Sequence, residues 1–407
     1  MSRALAVERT GWSDREGGGT ARTALVVATH PPGRGSGSGL RSLRTLEALR
    51  ERFDRVDVVA LASPGEDALA DPAAILLPRP PHPQLPARLA ALRYGGAYYA
   101  AERAAGPGLE RLTAEGVIER RVDLIWVAQS LLARAVLDSV VGHRRVIDID
   151  NVAGADRRRS AADRTASPVR RAFRLLSASV IAAEERRRCN RFDLVVLTSD
   201  LERRRLGPVD PPVAVVPNTV DEEPVVDAAA APRRLLFVGS LDYDPNVDAV
   251  RTLVRAIMPR VRAVVPDAEL DVAGRNPTAE VIALCAVPGV RLHADAPSLD
   301  PVYAQARLVV APLRLGGGTR MKIVEALARG APVVATPTAA EGLHANPGRD
   351  IVLADDADAF AHACIRLLED PAAAAAIGAA GRAIWERDHR PEAARAAIRT
   401  LLDELGL

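Results

Sequence analysis

Two doubly wound α/β domains are the fold this sequence predicts, and three observations carry the prediction. A short apolar run, Thr23 to Thr29, passes into a glycine-rich loop and then an amphipathic segment, Leu40 to Arg52. The same progression starts afresh at Arg234 to Ser240, followed by an amphipathic segment from about Val247 to Val264. Apolar runs of this length, broken by glycine and alternating with helical patterns, are the mark of buried parallel strands. The chain of 407 residues is also longer than one hydrophobic core usually serves, so two domains are the default.

Composition excludes several function classes. Net charge is +2, which gives no argument for nucleic acid, and 48% hydrophobic with 26% charged residues is ordinary for a soluble globular chain. Cys189, Cys285 and Cys364 are scattered, with neither metal-site spacing nor an even disulfide set, which fits a reducing, cytoplasmic setting. No run reaches the ~20 apolar residues of a spanning helix. Residues 1–20 lack the apolar stretch of a secretory signal and read as a disordered tail.

Taken in order, the first domain is expected to span 21–217. After the Thr23 strand, Gly35, Gly37 and Gly39 alternate in the loop, a spacing that does not match a dinucleotide fingerprint. Val56 to Leu61 is the next strand. Pro78 to Pro86 is a proline-rich loop, and Leu85 to Ala104 reads as a helix whose Tyr94, Tyr98 and Tyr99 suit packing better than ligand stacking. Asp123 to Ala128 and Arg145 to Asp150 are further strands. Asp148, Asp150 and Asn151 end the second of these, where open α/β sheets place ligand groups, and Asp148 and Asp150 share one face. Capping the next helix or pairing with Arg157 to Arg159 would account for them equally.

Pro168 to Arg191 reads as one long helix. Val169, Phe173, Leu176, Val180 and Ala183 recur at helical spacing, while Arg170, Arg171 and Arg174 lie on another side. A solvated face with Glu184 and Glu185 as partners is the plainer reading. Peripheral contact with the inner face of a membrane is the alternative. Strands at Phe192 to Ser199 and Val213 to Val216 close the domain, and a linker follows at 218–232.

The second domain, 233–385, adds strands at Leu270 to Gly274 and Val290 to His293, with Arg275 just past the first. Its centre is Leu308 to Thr336: an apolar run, then Gly316, Gly317, Gly318 and Thr319, then a helix from Arg320 to Arg329 ended by Gly330, then a strand from Pro332. A loop without side chains that feeds a helix N-terminus suits an anion, because unsatisfied N–H groups and the helix dipole both favour negative charge. Arg320 and Lys322 stand where the dipole opposes cations, so local helix stability does not explain them, and a phosphate would. Thr319 is expected to cap the helix. Glu325 is placed either to pair with Lys322 or Arg329 or to accept hydrogen bonds from sugar hydroxyls. Helices at Asp355 to Glu369 and Pro371 to Trp385 precede a last one, Glu392 to Glu404, in a terminal segment 386–407.

The segment with Glu325-Ala326, Gly330-Ala331-Pro332-Val333-Val334-Ala335-Thr336 and Glu341-Gly342-Leu343 resembles the family-4-like (group 1) retaining glycosyltransferases of the GT-B fold, as does Pro217-Asn218-Thr219-Val220-Asp221 at the joint. The resemblance covers nearly all of the second half by motif and the first half by architecture. It implies two Rossmann-like domains facing each other across a cleft, with the terminal helix packing back on the first. It implies a nucleoside diphosphate sugar as donor substrate, an unidentified hydroxyl acceptor, no cofactor and no metal. Glu325 would hold the ribose. Gly317, Gly318, Thr319, Arg320, Lys322, Arg275, Gly239 and Ser240 would hold the diphosphate. Gly35, Gly37 and Gly39 would form the acceptor-side loop, and Asp148 or Asp150 would face the reacting centre. Gly317 stands where relatives carry the first of two paired glutamates, and Ser240 where they carry an arginine. A nucleotide-sugar epimerase of the same fold and a non-catalytic nucleotide-sugar-binding relative are the alternatives.

Overall fold

A computed structural model describes residues 21–33, 36–62, 71–79, 96–161, 167–315, 318 and 320–407. Two parallel sheets organise it. The first contains β1 (Thr23–Ala28), β2 (Arg55–Ala62), β3 (Ala74–Pro78), β4 (Arg121–Ala128), β5 (Val141–Ile149), β6 (Leu194–Leu197) and β7 (Val213–Val215), in the order β3-β2-β1-β4-β5-β6-β7. The second contains β8 (Arg234–Val238), β9 (Glu269–Gly274), β10 (Val290–Ala294), β11 (Leu308–Ala311), β12 (Val333–Ala335) and β13 (Val352–Leu353), in the order β10-β9-β8-β11-β12-β13. Each order reverses beside its first strand, β1 or β8, which opens a crevice at the carboxyl ends of the strands.

The apolar runs are continuous because helices cover both faces of each sheet. All six residues of β1 and all four of β11 are buried. In the first sheet, odd-numbered β1 residues Leu25 and Val27 join one core with Ile125 and Ile147, while Ala24 and Val26 join another with Trp126 and Val146. That second core is completed from the far end of the chain. Ile398, Leu401, Leu402, Leu405 and Leu407 pack there against Leu46 and Leu49.

Helix α1 (Gly37–Arg50) starts three residues before the sequence predicts, because Ser36 caps it by accepting the Gly39 N–H at 3.0 Å. Helix α2 (Gly96–Ala114) runs ten residues past its expected end and carries Pro107 inside it. The tyrosine at 94 lies outside the described residues, as does most of the loop predicted at 78–86. The edge strand β3 went unpredicted, being only a short apolar run after Asp71-Pro72. Then come α3 (Ala133–Ser139), α4 (Ala153–Ser160), α5 (Pro168–Cys189) and α6 (Asp200–Leu206) in the first lobe.

The second lobe has α7 (Asp244–Thr252), which continues through a wider turn, Leu253–Ile257, into α8 (Met258–Val264). It also has α9 (Ala279–Cys285), α10 (Met321–Ala328), α11 (Ala357–Glu369) and α12 (Pro371–Ile384), after which α13 (Pro391–Glu404) crosses back onto the first lobe. Residues between β7 and β8 lie down on this lobe, with Ala228 and Ala231 buried and Arg307 donating to the Ala231 carbonyl. The return path is pinned twice: Trp385 Nε1 donates to the Val220 carbonyl at 3.0 Å, and Val220 N donates to that of His389 at 3.0 Å.

Candidate active site

The carboxyl ends of both sheets face one cavity of about 960 Å³. From the first lobe it is lined by the start of α1, by Gln129 after β4, and by Asp150 and Asn151 after β5. From the second it is lined by Gly239 and Ser240 after β8, Gly274 and Arg275 at the end of β9, and by Asn246, Gly318, Arg320, Lys322 and Glu325.

The second-lobe wall is built by close approach of backbones. A Cβ on Gly274 would fall 1.8 Å from the Gly239 carbonyl oxygen, so the ends of β8 and β9 meet only because position 274 has no side chain. A Cβ on Gly239 would in turn lie 2.8 Å from Lys322 Nζ. That bare strand end lets Lys322 reach across from α10. Its Nζ donates to Asn246 Oδ1 at 2.7 Å and lies 4.2 Å from the centre of the Phe237 ring. Asn246 is oriented by its own donation to the Ser240 carbonyl at 2.8 Å.

Burial pushes the Lys322 ammonium down to about 7, and the neighbouring Arg320 adds to that, with Glu325 opposing. Arg320 is lowered by the same burial, against the attraction of Asp156. Two desolvated cations side by side are costly by themselves and attract strongly an anion placed beside them. Glu325 is raised by burial, with Arg329 pulling the other way. The expected ion pair of Glu325 is not formed: Arg329 pairs instead with Glu223 and Asp300, each at 2.8 Å, and lies over Tyr303. Among the described residues Glu325 has no ion pair and faces the cavity.

Gly318, just before α10, meets the other lobe. Gly318 has φ +70°, and a Cβ there would lie 2.8 Å from the Asp150 carbonyl oxygen. Gly317, Thr319 and Gly35 lie outside the described residues. The cap expected at Thr319 falls on Arg320, whose backbone is extended (φ −78°, ψ 103°), whose side chain does not cap, and which lines the cleft. A second approach is Gly37, where a Cβ would come 2.8 Å from Met321 Cγ. A third is polar: Glu341, after β12, takes Arg205 at 2.8 Å and also Arg159, both from the first lobe.

Two first-lobe expectations need correction. Asp148 and Asp150 do share a face, but Asp148 is one pleat deeper, roughly 7 Å down the strand, and does not line the cavity. It is buried against Arg41, which donates to it from Nε at 2.8 Å and Nη2 at 2.6 Å. It holds α1 to β5 and is not placed to meet a ligand. Gly39 also falls away from the cavity, because its missing Cβ makes room for the Pro31 carbonyl, 2.7 Å from where that atom would be.

Asp150 does reach the cleft. Its Oδ2 accepts from Ser38 Oγ at 2.7 Å and Gln129 Nε2 at 3.1 Å, while Oδ1 is buried without a hydrogen-bond partner among the described residues. Gln129 holds φ +76°, which is strained for a side chain of its kind. Sequence reading missed Ser38, Gln129 and Asn246. Gln129 immediately follows a strand predicted to end at Ala128, so the rule that ligands sit at carboxyl strand ends would have found it.

Comparison with known proteins bears on this site. Residues 232–370 match the family model described as "Glycosyl transferases group 1". A search of curated proteins gave no significant match. Among solved structures, the fold is similar to sucrose-phosphate synthase from Thermosynechococcus elongatus, with TM-score 0.68, 19% identity and coverage of 94% of this chain and 99% of that one. It is similar to Anabaena HepE in complex with UDP and glucose, with TM-score 0.63, 14% identity and coverage of 93% and 99%. It is also similar to the α,α-trehalose 6-phosphate synthase of Burkholderia multivorans, with TM-score 0.62, 14% identity and coverage of 95% and 99%. Residues 232–370, which supply Lys322, Arg320 and Glu325 to the cleft, thus match a group 1 glycosyl transferase domain, and the whole chain shares the GT-B fold of these enzymes.

Proposed function

We propose that the protein moves a sugar from a nucleoside diphosphate sugar to a hydroxyl acceptor, with retention at the transferred carbon and without a metal. The observation that carries the reading is the convergence of Lys322, Arg320 and the Gly318 turn on one cavity, opposite Asp150. As the bond from sugar to diphosphate breaks, negative charge builds on the leaving oxygen. Lys322 and Arg320 would stabilise that charge by preorganised attraction from partly desolvated positions. Glu325 would accept from the ribose hydroxyls. Ser240 and Arg275 extend the same wall. Asp150, steadied by Ser38 and Gln129, would face the transferred sugar from the acceptor side. HepE, one of the structural neighbours, is described with UDP-glucose bound, which makes UDP-sugars the first donors to try.

An epimerase is less well supported, since it needs paired acid and base groups, and no histidine is among the described lining residues. A product in cell-surface polysaccharide or glycolipid synthesis belongs to the same proposal.

The test is release of nucleoside diphosphate from UDP- and GDP-sugars, with and without EDTA, and the anomeric configuration of any product by NMR. Arg320→Ala with Lys322→Ala should lower kcat/KM at least 100-fold at unchanged Tm. Turnover untouched by that double substitution, or an inverted product, would overturn the reading.

A further inference from the structure

The helix with the apolar repeat turns that repeat outward. On α5, Val169 is 80% exposed and Leu176 71%, with Phe173 and Val180 beside them on the same stripe. Leu175, also exposed, flanks it. What α5 buries is its other side: Glu185 takes the Ala153 and Gly154 N–H groups of α4, and Arg188 is buried with Glu184 against it at 2.8 Å. The solvated face with Glu184 and Glu185 as partners, expected from sequence, is therefore the inner one.

Helices α4 and α5 pack against each other on the first lobe, and α4 begins two residues after Asn151, which lines the cleft. Between 153 and 183 the sequence of the described residues has six arginines and one aspartate. Arg157 donates to Ser177 Oγ and lies over the Phe173 ring, and Arg171 donates to the Ala161 carbonyl, so these contacts orient the cations without cancelling their charge. An exposed apolar stripe flanked by oriented arginines matches a surface that is apolar inside and anionic at its face. Among the described residues no helix is long and apolar enough to cross a membrane.

We propose that the α4–α5 hairpin docks the enzyme on an anionic lipid bilayer, with Val169, Phe173, Leu176 and Val180 entering the headgroup boundary and Arg157 and Arg171 meeting lipid phosphates. Docking there would hold the mouth of the cleft near the surface, where a lipid-borne acceptor hydroxyl would be presented. The docking itself does not depend on the glycosyl-transfer reading, because lipid binding is measured without turnover.

The experiment is co-sedimentation of the full chain with vesicles of phosphatidylcholine alone or with about one third phosphatidylglycerol, at low and high salt. Binding to the anionic vesicles should exceed that to the neutral ones at least tenfold and fall with salt. Leu176→Ser with Val169→Ser should reduce it at least tenfold at unchanged Tm, since both side chains are exposed. Arg171→Gln should weaken it and flatten its salt dependence. Three results would overturn the proposal: no binding to the anionic vesicles, binding indifferent to the Leu176→Ser and Val169→Ser changes, or a dimer in light scattering that those changes abolish, which would make the stripe an interface between copies.

Discussion

Lys322 donates from Nζ to Asn246 Oδ1 at 2.7 Å, which ties the helix after the glycine loop to the helix after β8. The pair fixes a buried cation at the strand end where a diphosphate would lie.

Donor affinity should therefore depend on pH. Lys322 is pushed down to about 7 by burial, so it is charged at pH 6 and largely neutral at pH 8.5. An entering diphosphate favours the charged form, so binding above pH 7 must take up a proton. The dissociation constant for whichever nucleoside diphosphate sugar binds should be flat below pH 6.5 and rise up to tenfold per pH unit above 7.5. Calorimetry in buffers of different ionisation enthalpy should show uptake of nearly one proton at pH 8.5. Asn246→Ala should cost about fivefold in affinity, corresponding to one ordinary hydrogen bond.

The two aspartates of β5 should separate stability from turnover. Asp148→Ala leaves the Arg41 charge buried without its partner, at a cost of about 3–5 kcal/mol in denaturant unfolding. Asp150→Asn should leave Tm within a few degrees and lower kcat with KM little changed. Equal loss of stability in both variants would refute the assignment.

Gly239→Ala should damage the site more than the fold. The added methyl lies 2.7 Å from Asn246 Nδ2 and 2.8 Å from Lys322 Nζ, both ends of side chains that are able to move away from the anion position. Affinity for the donor should drop at least tenfold with Tm reduced only slightly. Gly274→Ala meets the backbone of Gly239 instead and should fail to fold or lose several kcal/mol.

Glu341 joins the lobes through Arg159 and Arg205, and Glu341→Gln should loosen that bridge. Small-angle scattering should show a larger radius of gyration without ligand, and KM for the donor should rise about threefold to tenfold with Tm nearly constant. Identical scattering curves would mean that Gly37, Met321 and Gly318 alone set the closure.

Much of this was legible in the chain because it follows from local periodicity. The strand residues are apolar on both faces since both faces are covered, and the glycine loop before Lys322 advertises an anion because backbone N–H groups are all it offers. Legibility ended where two distant segments meet. Nothing in the spacing distinguishes Asp148 from Asp150, since a two-residue period gives a shared face but no depth. Arg41, 107 positions away, decided that by filling the deeper place.

The α5 repeat shows the same limit. Helical spacing fixed which residues lie on one side, and only the packing of α4 decided that this side would face outward. Sequence by itself determined two parallel sheets, their glycine-broken strand ends and the cations beside the loop, because these need only the local chain. Tertiary structure alone decided that Lys322 would sit against Asn246 and that Glu341 would bridge the lobes, because those outcomes depend on which surfaces remain once every nearer contact has been made.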